Sequence, residues 1–268
     1  MKKTGVIGTG SMGGMLVRKF IESEISKPEM IIAGNRTEEK LRLLAKETGI
    51  NAAKNNIEVV ENSDVIFLCV KPLEVKGVLA EIKEVLNEDK ILVSVAADVS
   101  LENLSEWSNA RIVRAIPSIT SEVLKGVTLL SFGERAAPAD KELILSMFGA
   151  IGKAVEAEEK DFEILTILTS CAPAFIASIL KELSKSAVRR EGISKELSEF
   201  LVRETLVGTS CLLEEKNQSF EDIISRVATK GGITEEGVFV IQKEMPAVFD
   251  NLLDAALGKD IKVNKMIN

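Results

Sequence analysis

The chain has 268 residues, a net charge of −7 and 46% hydrophobic residues, which describes an acidic globular protein of one large or two medium domains. It has no basic field for nucleic acid or an anionic membrane, no apolar run of about 18 residues and no signal peptide, so we expect a cytoplasmic protein. Its three scattered cysteines argue against a disulfide framework or a zinc site, and the absence of His and Tyr excludes the commonest acid–base catalysts.

The chain opens with a short apolar strand, a glycine turn and an amphipathic helix. The strand covers residues 3–7 and the helix runs over 12–24, with glycines in GxGxxG spacing between them. In a dinucleotide-binding unit the first glycine allows the tight turn, the second lets a pyrophosphate approach the backbone, and the third lets helix and strand pack closely. The pattern predicts a dinucleotide site formed by Gly8, Thr9, Gly10, Ser11, Met12 and Gly13.

The end of the second predicted strand indicates which dinucleotide binds. Strand 30–33 leads into Gly34-Asn35-Arg36-Thr37, where an acidic residue would bond the ribose 2′-hydroxyl of NAD. Asn35 and Arg36 take that place, and a guanidinium favours a 2′-phosphate. We therefore predict NADP rather than NAD. The alternative is that Arg36 is a solvated charge at a helix start.

Strands and helices continue to alternate up to residue 156. The predicted helices cover 37–48, 55–61, 73–86 and 139–149, and the predicted strands cover 50–53, 64–70, 91–97, 111–115, 127–132 and 153–156. Strand 64–70 is continuously apolar, as in a buried parallel sheet. Ligands bind beyond the carboxyl ends of such strands, so Lys71 either approaches the cofactor or caps the sheet. This order predicts an α/β fold with a Rossmann-type doubly wound sheet over residues 1–157.

The remainder of the chain shows only helical periodicity. The predicted helices cover 162–169, 174–189, 195–215, 220–227, 235–243 and 247–257. They predict an all-helical domain over residues 158–268. Because its few aromatic residues make a thin core, we expect these helices to pack against a second subunit, giving a homodimer or a higher oligomer.

A Gly-Gly turn separates two of these helices. Gly231 and Gly232 allow a close turn whose amides lie beside a helix N-terminus, which is a place to hold a small carboxylate. Thr234 is predicted to be the N-cap of the following helix. The plainer interpretation is a structural turn with a threonine cap.

In this order and spacing, the motifs resemble those of the pyrroline-5-carboxylate reductase family over essentially the whole chain. The matching stretches are Ile7–Gly13, Asn35-Arg36-Thr37, Val70-Lys71-Pro72, Ser94-Val95-Ala96-Ala97, Arg114-Ala115-Ile116-Pro117, Ala172-Pro173-Ala174-Phe175 and Lys230-Gly231-Gly232-Ile233-Thr234. The resemblance implies an NADPH-binding domain followed by a helical dimerisation domain, sometimes assembled into a decamer. It also implies further cofactor contacts from Asn56, Val70, Lys71, Pro72, Ala96 and Ala97.

The resemblance also implies that an imine acid is held by Gly231, Gly232, Ile233 and Thr234. Four positions depart from the family pattern: Ser118 replaces an asparagine, Thr169–Ala172 replaces Ser-Gly-Ser-Gly, Lys230 replaces a proline, and Asp98 replaces a glycine. We assign Ser118, Thr169 and Ala172 to the substrate site. Thr234, Lys71 and Cys171 are the candidate catalytic residues.

The implied reaction is NADPH-dependent reduction of 1-pyrroline-5-carboxylate to L-proline. A cyclic imine can arrive protonated, so hydride transfer needs orientation more than a strong protein acid. Alternatives are a reductase of another imine or keto acid and a non-catalytic regulatory paralogue, since divergent members include late-competence proteins. A 3-hydroxyacid-type dehydrogenase would need a Lys and an Asn a turn apart on the long helix, where Lys181 and Lys185 have no neighbouring Asn.

Overall fold

The first part of the chain folds around a mostly parallel sheet. The computed structural model describes residues 2–267, with side chains to Gly258. Within that part the sheet has eight strands in the order β3-β2-β1-β4-β5-β6-β7-β8. The strands are β1 Thr4–Ile7, β2 Ile31–Gly34, β3 Asn51–Ala52, β4 Val65–Leu68, β5 Ile91–Ser94, β6 Arg111–Ile116, β7 Gly126–Phe132 and β8 Gly152–Glu156. Among these strands only the pair β6 and β7 is antiparallel, so the predicted Rossmann-type sheet is confirmed.

Helices lie between the strands and continue after them. They are α1 Ser11–Glu22, α2 Glu38–Thr48, α3 Asn56–Glu61, α4 Pro72–Ile82, α5 Leu101–Trp107, α6 Pro138–Gly149, α7 Phe162–Thr166, α8 Ala172–Glu191, α9 Lys195–Glu215, α10 Phe220–Val227 and α11 Ile233–Ile267. A π-helical turn, Ile167–Cys171, joins α7 to α8. The helical second half of the chain is therefore confirmed.

Both faces of the sheet are buried, as β4 shows residue by residue. Its side chains alternate between two hydrophobic clusters: Val65 and Phe67 lie in one, and Ile66 and Leu68 in the other. Phe67 contacts two further rings in its cluster, with centroids 5.2 Å from Phe20 and 5.9 Å from Phe148. The continuous apolar pattern of this strand follows from burial on both sides.

Several element boundaries differ from the predicted ones. The predicted strand 91–97 ends at Ser94, because its neighbour β4 ends at Leu68 and only Val95 still donates to the Leu68 carbonyl, at 3.2 Å. Helix α5 was not predicted, although Ser100 caps it by accepting from the Asn103 amide at 3.1 Å.

Two predicted helix breaks are absent from the observed helices. α8 includes Pro173, and α11 runs through Pro246 where the prediction ended one helix and began another. A proline has a helical φ and removes one donor, so it does not have to end a helix whose flanking residues favour helix.

The described residues separate into two compact units, with the boundary between Cys171 and Ala172 and the second unit reaching Ala256. The boundary lies after the last strand because Phe162, 1% exposed, packs with Ile116 and Leu129 of the sheet unit. The functional division at residue 157, which is drawn where the strands end, stays a prediction.

One helical stretch, Glu159–Glu191, is long and apolar enough to cross a membrane by length and composition alone. It contains no uninterrupted apolar run of that length, which is why the sequence pattern did not show it. Large apolar side chains are also exposed on the following helix, among them Phe200 at 49%. The second unit therefore presents more apolar surface than the sheet unit.

Candidate functional site

The glycine turn between β1 and α1 has the geometry of a nucleotide-binding loop. Gly8 has φ +94°, and a Cβ there would lie 2.5 Å from the Cys69 carbonyl oxygen. A Cβ at Gly13 would lie 1.9 Å from the Gly8 carbonyl oxygen, so a side chain is excluded at both positions. Gly10 differs, because a Cβ there would meet no atom within 4 Å. Its backbone borders open space, as the approach of a diphosphate requires.

A cavity of about 650 Å³ lies beside this loop, at the carboxyl ends of β1, β2 and β4. The strand order reverses between β1 and β4, and this is where open α/β sheets bind ligands. Seven residues that the sequence assigned to the cofactor line the cavity: Gly8, Gly10, Asn35, Arg36, Asn56, Val70 and Lys71. The other seven, Thr9, Ser11, Met12, Gly13, Pro72, Ala96 and Ala97, are not among its lining residues.

Thr9 supplies a second indication that the loop fits a phosphate-bearing ligand. The residue is 8% exposed, and its hydroxyl is buried without a hydrogen-bond partner among the described residues. Buried hydroxyls normally have a partner. The unsatisfied hydroxyl and the open space at Gly10 together fit a dinucleotide diphosphate at this loop.

Asn35 ties the end of β2 to the glycine loop. Its side-chain oxygen accepts from the Thr9 amide at 3.1 Å, and its Nδ2 donates to the Thr37 carbonyl at 3.0 Å. Asn35 therefore shapes the cavity wall. Its neighbour Arg36 is 89% exposed and pairs with Glu74 at 3.1 Å, so its guanidinium lies at the cavity mouth beside a competing carboxylate.

The sequence analysis missed several charged residues of the cavity. Lys40 and Lys54 line it, and so does Glu81, which accepts from Nδ2 of Asn56 at 2.9 Å. Lys40 lies in the first turn of α2, whereas Arg36 precedes the helix and its N-cap Thr37, so helical spacing did not indicate that both cations line one cavity. No local sequence pattern indicated that Lys54 or Glu81 would line the cavity.

α4 begins at Pro72, one residue before the predicted start, and Lys71 is its N-cap. Pro72 is in the first turn, and the Lys71 amide donates to the Glu74 carboxylate at 3.3 Å. Cys69, just before them, is half-buried and packs against the core, and burial raises the pKa of its thiol to about 12. The thiol therefore stays neutral and supplies no charge to the site.

The predicted substrate residues Ser118 and Thr169 lie together. Ser118 is 1% exposed, and its hydroxyl donates to the Thr169 carbonyl at 3.1 Å and accepts from the Thr120 hydroxyl at 3.0 Å. Ser170 donates to the Pro117 carbonyl at 3.2 Å. These bonds fix the π-helical turn that also carries half-buried Cys171 and immediately precedes Ala172. Turns of this kind often occur at functional sites.

The Gly-Gly turn lies in the second unit and partly satisfies its own amides. Gly231 has φ +73°, its amide donates to the Glu235 carboxylate at 2.7 Å, and the Gly232 amide donates to the Thr229 carbonyl at 2.9 Å. α11 begins at Ile233, so Thr234 is its second residue and the predicted N-cap role is wrong. The amides of Ile233 and Thr234 belong to the first helical turn and have no intrahelical acceptor.

No cluster of three potential metal-ligating side chains was found within the part of the chain described. A glycine loop at the strand-order reversal, with space for a diphosphate, defines the class of dinucleotide-binding proteins. Two family models match the chain: "NADP oxidoreductase coenzyme F420-dependent" over residues 3–98 and "Pyrroline-5-carboxylate reductase dimerisation" over residues 159–262.

Known relatives extend over nearly the full chain. "Pyrroline-5-carboxylate reductase 3" of Bacillus subtilis is 38% identical over 97% of this chain and 96% of its own length. "ComE operon protein 4" of the same organism is 32% identical over 92% of this chain and 91% of its own length. The solved pyrroline-5-carboxylate reductase of Coxiella burnetii has a TM-score of 0.88 and 28% identity, covering 100% of this chain and 98% of that one.

The chain thus belongs to the pyrroline-5-carboxylate reductase family. It is an oxidoreductase with a nicotinamide cofactor, and its helical region matches the dimerisation model of the family, which indicates a homo-oligomer. The structure of the Plasmodium falciparum pyrroline carboxylate reductase with NADP bound is also similar. It has a TM-score of 0.83 and 26% identity, covering 99% of this chain and 98% of that one.

Proposed function

We propose that the protein reduces 1-pyrroline-5-carboxylate to L-proline with NADPH. The proposal rests on one combination: the glycine-loop cavity occurs in a chain that is 38% identical, over nearly its full length, to a relative named for this reaction. The absence of His and Tyr fits a protonated imine, which needs orientation more than a proton donor.

Each part of the chain has a defined task in this proposal. When bound, a reduced nicotinamide would supply the hydride for the imine carbon. The glycine loop holds the diphosphate, while the first-turn amides of Ile233 and Thr234, with the Thr234 hydroxyl, hold the substrate carboxylate. Gly231 and Gly232 shape this turn, because their own amides already have acceptors. Lys71 and Cys171 are the remaining candidates for contact with the reacting groups.

The direct test is the loss of NADPH absorbance by purified protein with and without 1-pyrroline-5-carboxylate. Substrate-dependent oxidation supports the proposal. If NADPH raises the melting temperature but is not oxidised, the cofactor site is intact and this substrate is wrong. Another small imine or keto acid is then the second candidate. It is favoured by the buried Ser118, whose hydroxyl is engaged with Thr169 where family members carry an asparagine.

The preference for NADPH is assigned to Arg36, with Lys40 and Lys54 beside it in the cavity. Arg36→Ala should weaken NADPH binding about tenfold or more while leaving NADH binding nearly unchanged, because charged hydrogen bonds to a 2′-phosphate are lost. Titration of both nucleotides measures this. Arg42→Ala, an exposed change on the following helix α2, is the control. If NADPH and NADH lost affinity equally, Arg36 would not be the residue that binds the 2′-phosphate.

We further propose a cytoplasmic homodimer formed through the helices of the second unit. The region matched by the dimerisation model carries exposed apolar side chains on α8, α9 and α11, such as Leu183, Phe200 and Phe239. Exposed apolar side chains in such number are typical of a permanent subunit interface.

A further inference from the structure

A buried arginine on β6 stands out among the apolar residues of its strand. The Arg114 side chain is 11% exposed, while its neighbours Val113 and Ala115 are fully buried. A guanidinium taken out of water requires partners on the protein, since an unpaired buried charge is strongly unfavourable.

The partners of Arg114 come from two other segments of the sheet unit. Nη1 lies 2.8 Å from Glu159 Oε1, Nη2 donates to the Ala97 carbonyl, and the guanidinium carbon lies 4.8 Å from the centre of the Phe162 ring. The same Glu159 oxygen accepts from the Leu101 amide at 2.8 Å. The pair therefore contacts the loop 95–100 near its middle, at Ala97, and at Leu101, the residue that follows it.

This loop occupies a position next to the cofactor cavity. β5 and β4 are parallel neighbours in register Leu68↔Ser94, so the loop leaves the sheet beside the segment Cys69–Lys71 that lines the cavity. Loops at the carboxyl ends of adjacent parallel strands converge on the ligand. Glu159 and Phe162 also lead into the π-helical turn bonded to Pro117 and Ser118.

We propose that Arg114 and Glu159 are a positioning pair, which holds the loop 95–100 against the cofactor and aligns it with the π-helical turn. The proposal rests on the proposed use of NADPH at this cavity. Arg114 acts through the Ala97 carbonyl and Glu159 through the Leu101 amide, and neither side chain lines the cofactor cavity. Loss of Arg114 should therefore allow the loop to move and should affect how the nicotinamide is held.

The same strand provides a matched control at its opposite end. Arg111 pairs with Asp140 at 2.7 Å and donates to the Asp89 carbonyl at 2.5 Å, and the two side chains are 19% and 4% exposed. Arg111 thus makes the same two kinds of contact as Arg114, an ion pair with a carboxylate and a hydrogen bond to a backbone carbonyl. Arg111 pairs in register with Ile91, at the amino end of β5 and away from the cavity edge.

The experiment compares Arg114→Met with Arg111→Met in the full-length protein. Both changes should lower the melting temperature, because each removes the ion-pair partner of a carboxylate that is buried (Asp140) or half-buried (Glu159). Only Arg114→Met should weaken NADPH binding or lower kcat, by about tenfold to a hundredfold, since small misplacements of reacting groups have effects of this size. Calorimetric titration of NADPH measures affinity independently of turnover, so the result holds whether or not 1-pyrroline-5-carboxylate is the substrate.

Two further variants separate positioning from stability. Arg114→Lys keeps the charge opposite Glu159 but loses the second arm to Ala97, so it should fold well and still bind NADPH less tightly. Glu159→Gln combined with Arg114→Met should weaken binding no more than Arg114→Met alone, because the two residues act as a unit. If both arginine variants change NADPH affinity equally, or if Arg114→Met and Arg114→Lys lower only the melting temperature, the proposal is wrong.

Discussion

At the scale of single residues, the glycine loop contains positions that look alike in sequence and differ in space. A side chain at Gly13 would meet the Gly8 carbonyl, whereas a side chain at Gly10 would enter open space beside the cavity. One glycine is therefore needed for the fold, and the other for the ligand.

This difference predicts opposite outcomes for two alanine variants. Gly13→Ala should lower stability by about 1–3 kcal/mol, as overpacking does, because strand and helix must move apart. Gly10→Ala should keep the wild-type melting temperature and lose most of its NADPH affinity, because its methyl group occupies space that the diphosphate needs. Thermal unfolding with and without NADPH measures both. A Gly10→Ala protein that NADPH still stabilises fully would contradict the assignment.

Cys69 gives a second prediction at this scale. Its thiol has a pKa of about 12, raised by burial, so at pH 8 it is almost wholly protonated in the folded protein and should resist iodoacetamide. The exposed Cys211 should be alkylated first, and peptide mass spectrometry distinguishes the two.

The raised pKa of Cys69 also makes the stability of the folded protein depend on pH. The thiol ionises more readily in the unfolded chain, so the wild type should lose stability as pH rises from about 9 towards 12. Cys69→Ala should lose less over that range, and Cys211→Ala should behave like the wild type. Equal pH dependence of all three proteins would show that Cys69 ionises normally.

At the scale of elements, the short helix α10 depends on its cap. The Ser219 hydroxyl accepts from the Asp222 amide at 3.1 Å, and the Asp222 carboxylate accepts from the Ser219 amide at 2.9 Å. This reciprocal pair lowers the pKa of Asp222, chiefly through the bond from the Ser219 amide. The helix leads to the Gly-Gly turn, so its start sets where that turn begins.

Ser219→Ala should therefore destabilise the protein by about 1 kcal/mol, the usual effect of removing an N-cap hydroxyl. Urea unfolding at fixed protein concentration measures the change. Ser225→Ala on the same exposed helix should be neutral, because that hydroxyl only bonds back to the Asp222 carbonyl within the helix. A Ser219→Ala midpoint equal to that of Ser225→Ala would mean that the cap is not formed.

At the scale of the whole molecule, burial divides unequally between the two units. The sheet unit buries both faces of its strands, whereas large apolar residues of α8, α9 and α11 are exposed. Few side chains of α8–α11 among those described are buried, Ser184 and Ser198 being examples. Helices with this surface need a further covering layer, and a second copy supplies it in the proposed homodimer.

Phe200→Glu should accordingly dissociate the dimer, because Phe200 is an exposed aromatic residue within the dimerisation region. Leu43→Glu is the matched control, since Leu43 is 55% exposed on α2 of the sheet unit. Light scattering after size exclusion measures the mass. The urea midpoint of the wild type should also rise with protein concentration. A monomeric wild type, or equal behaviour of the two variants, would contradict the homodimer.

The sequence by itself determined the order of elements, the glycine loop and the change from alternating strands and helices to helices alone. These features follow from local periodicity and from glycine chemistry, which need no distant partner. The family was also identifiable from the sequence, because its motifs keep their order along the chain.

Tertiary structure decided what depends on residues far apart in the chain. The Arg36–Glu74 and Arg114–Glu159 pairs join positions separated by 38 and 45 residues. No local sequence pattern predicts such pairs. The end of β5 was set by the end of its neighbour β4. The positions of α7 and of the π-helical turn were set by side-chain packing and hydrogen bonds to the rest of the sheet unit.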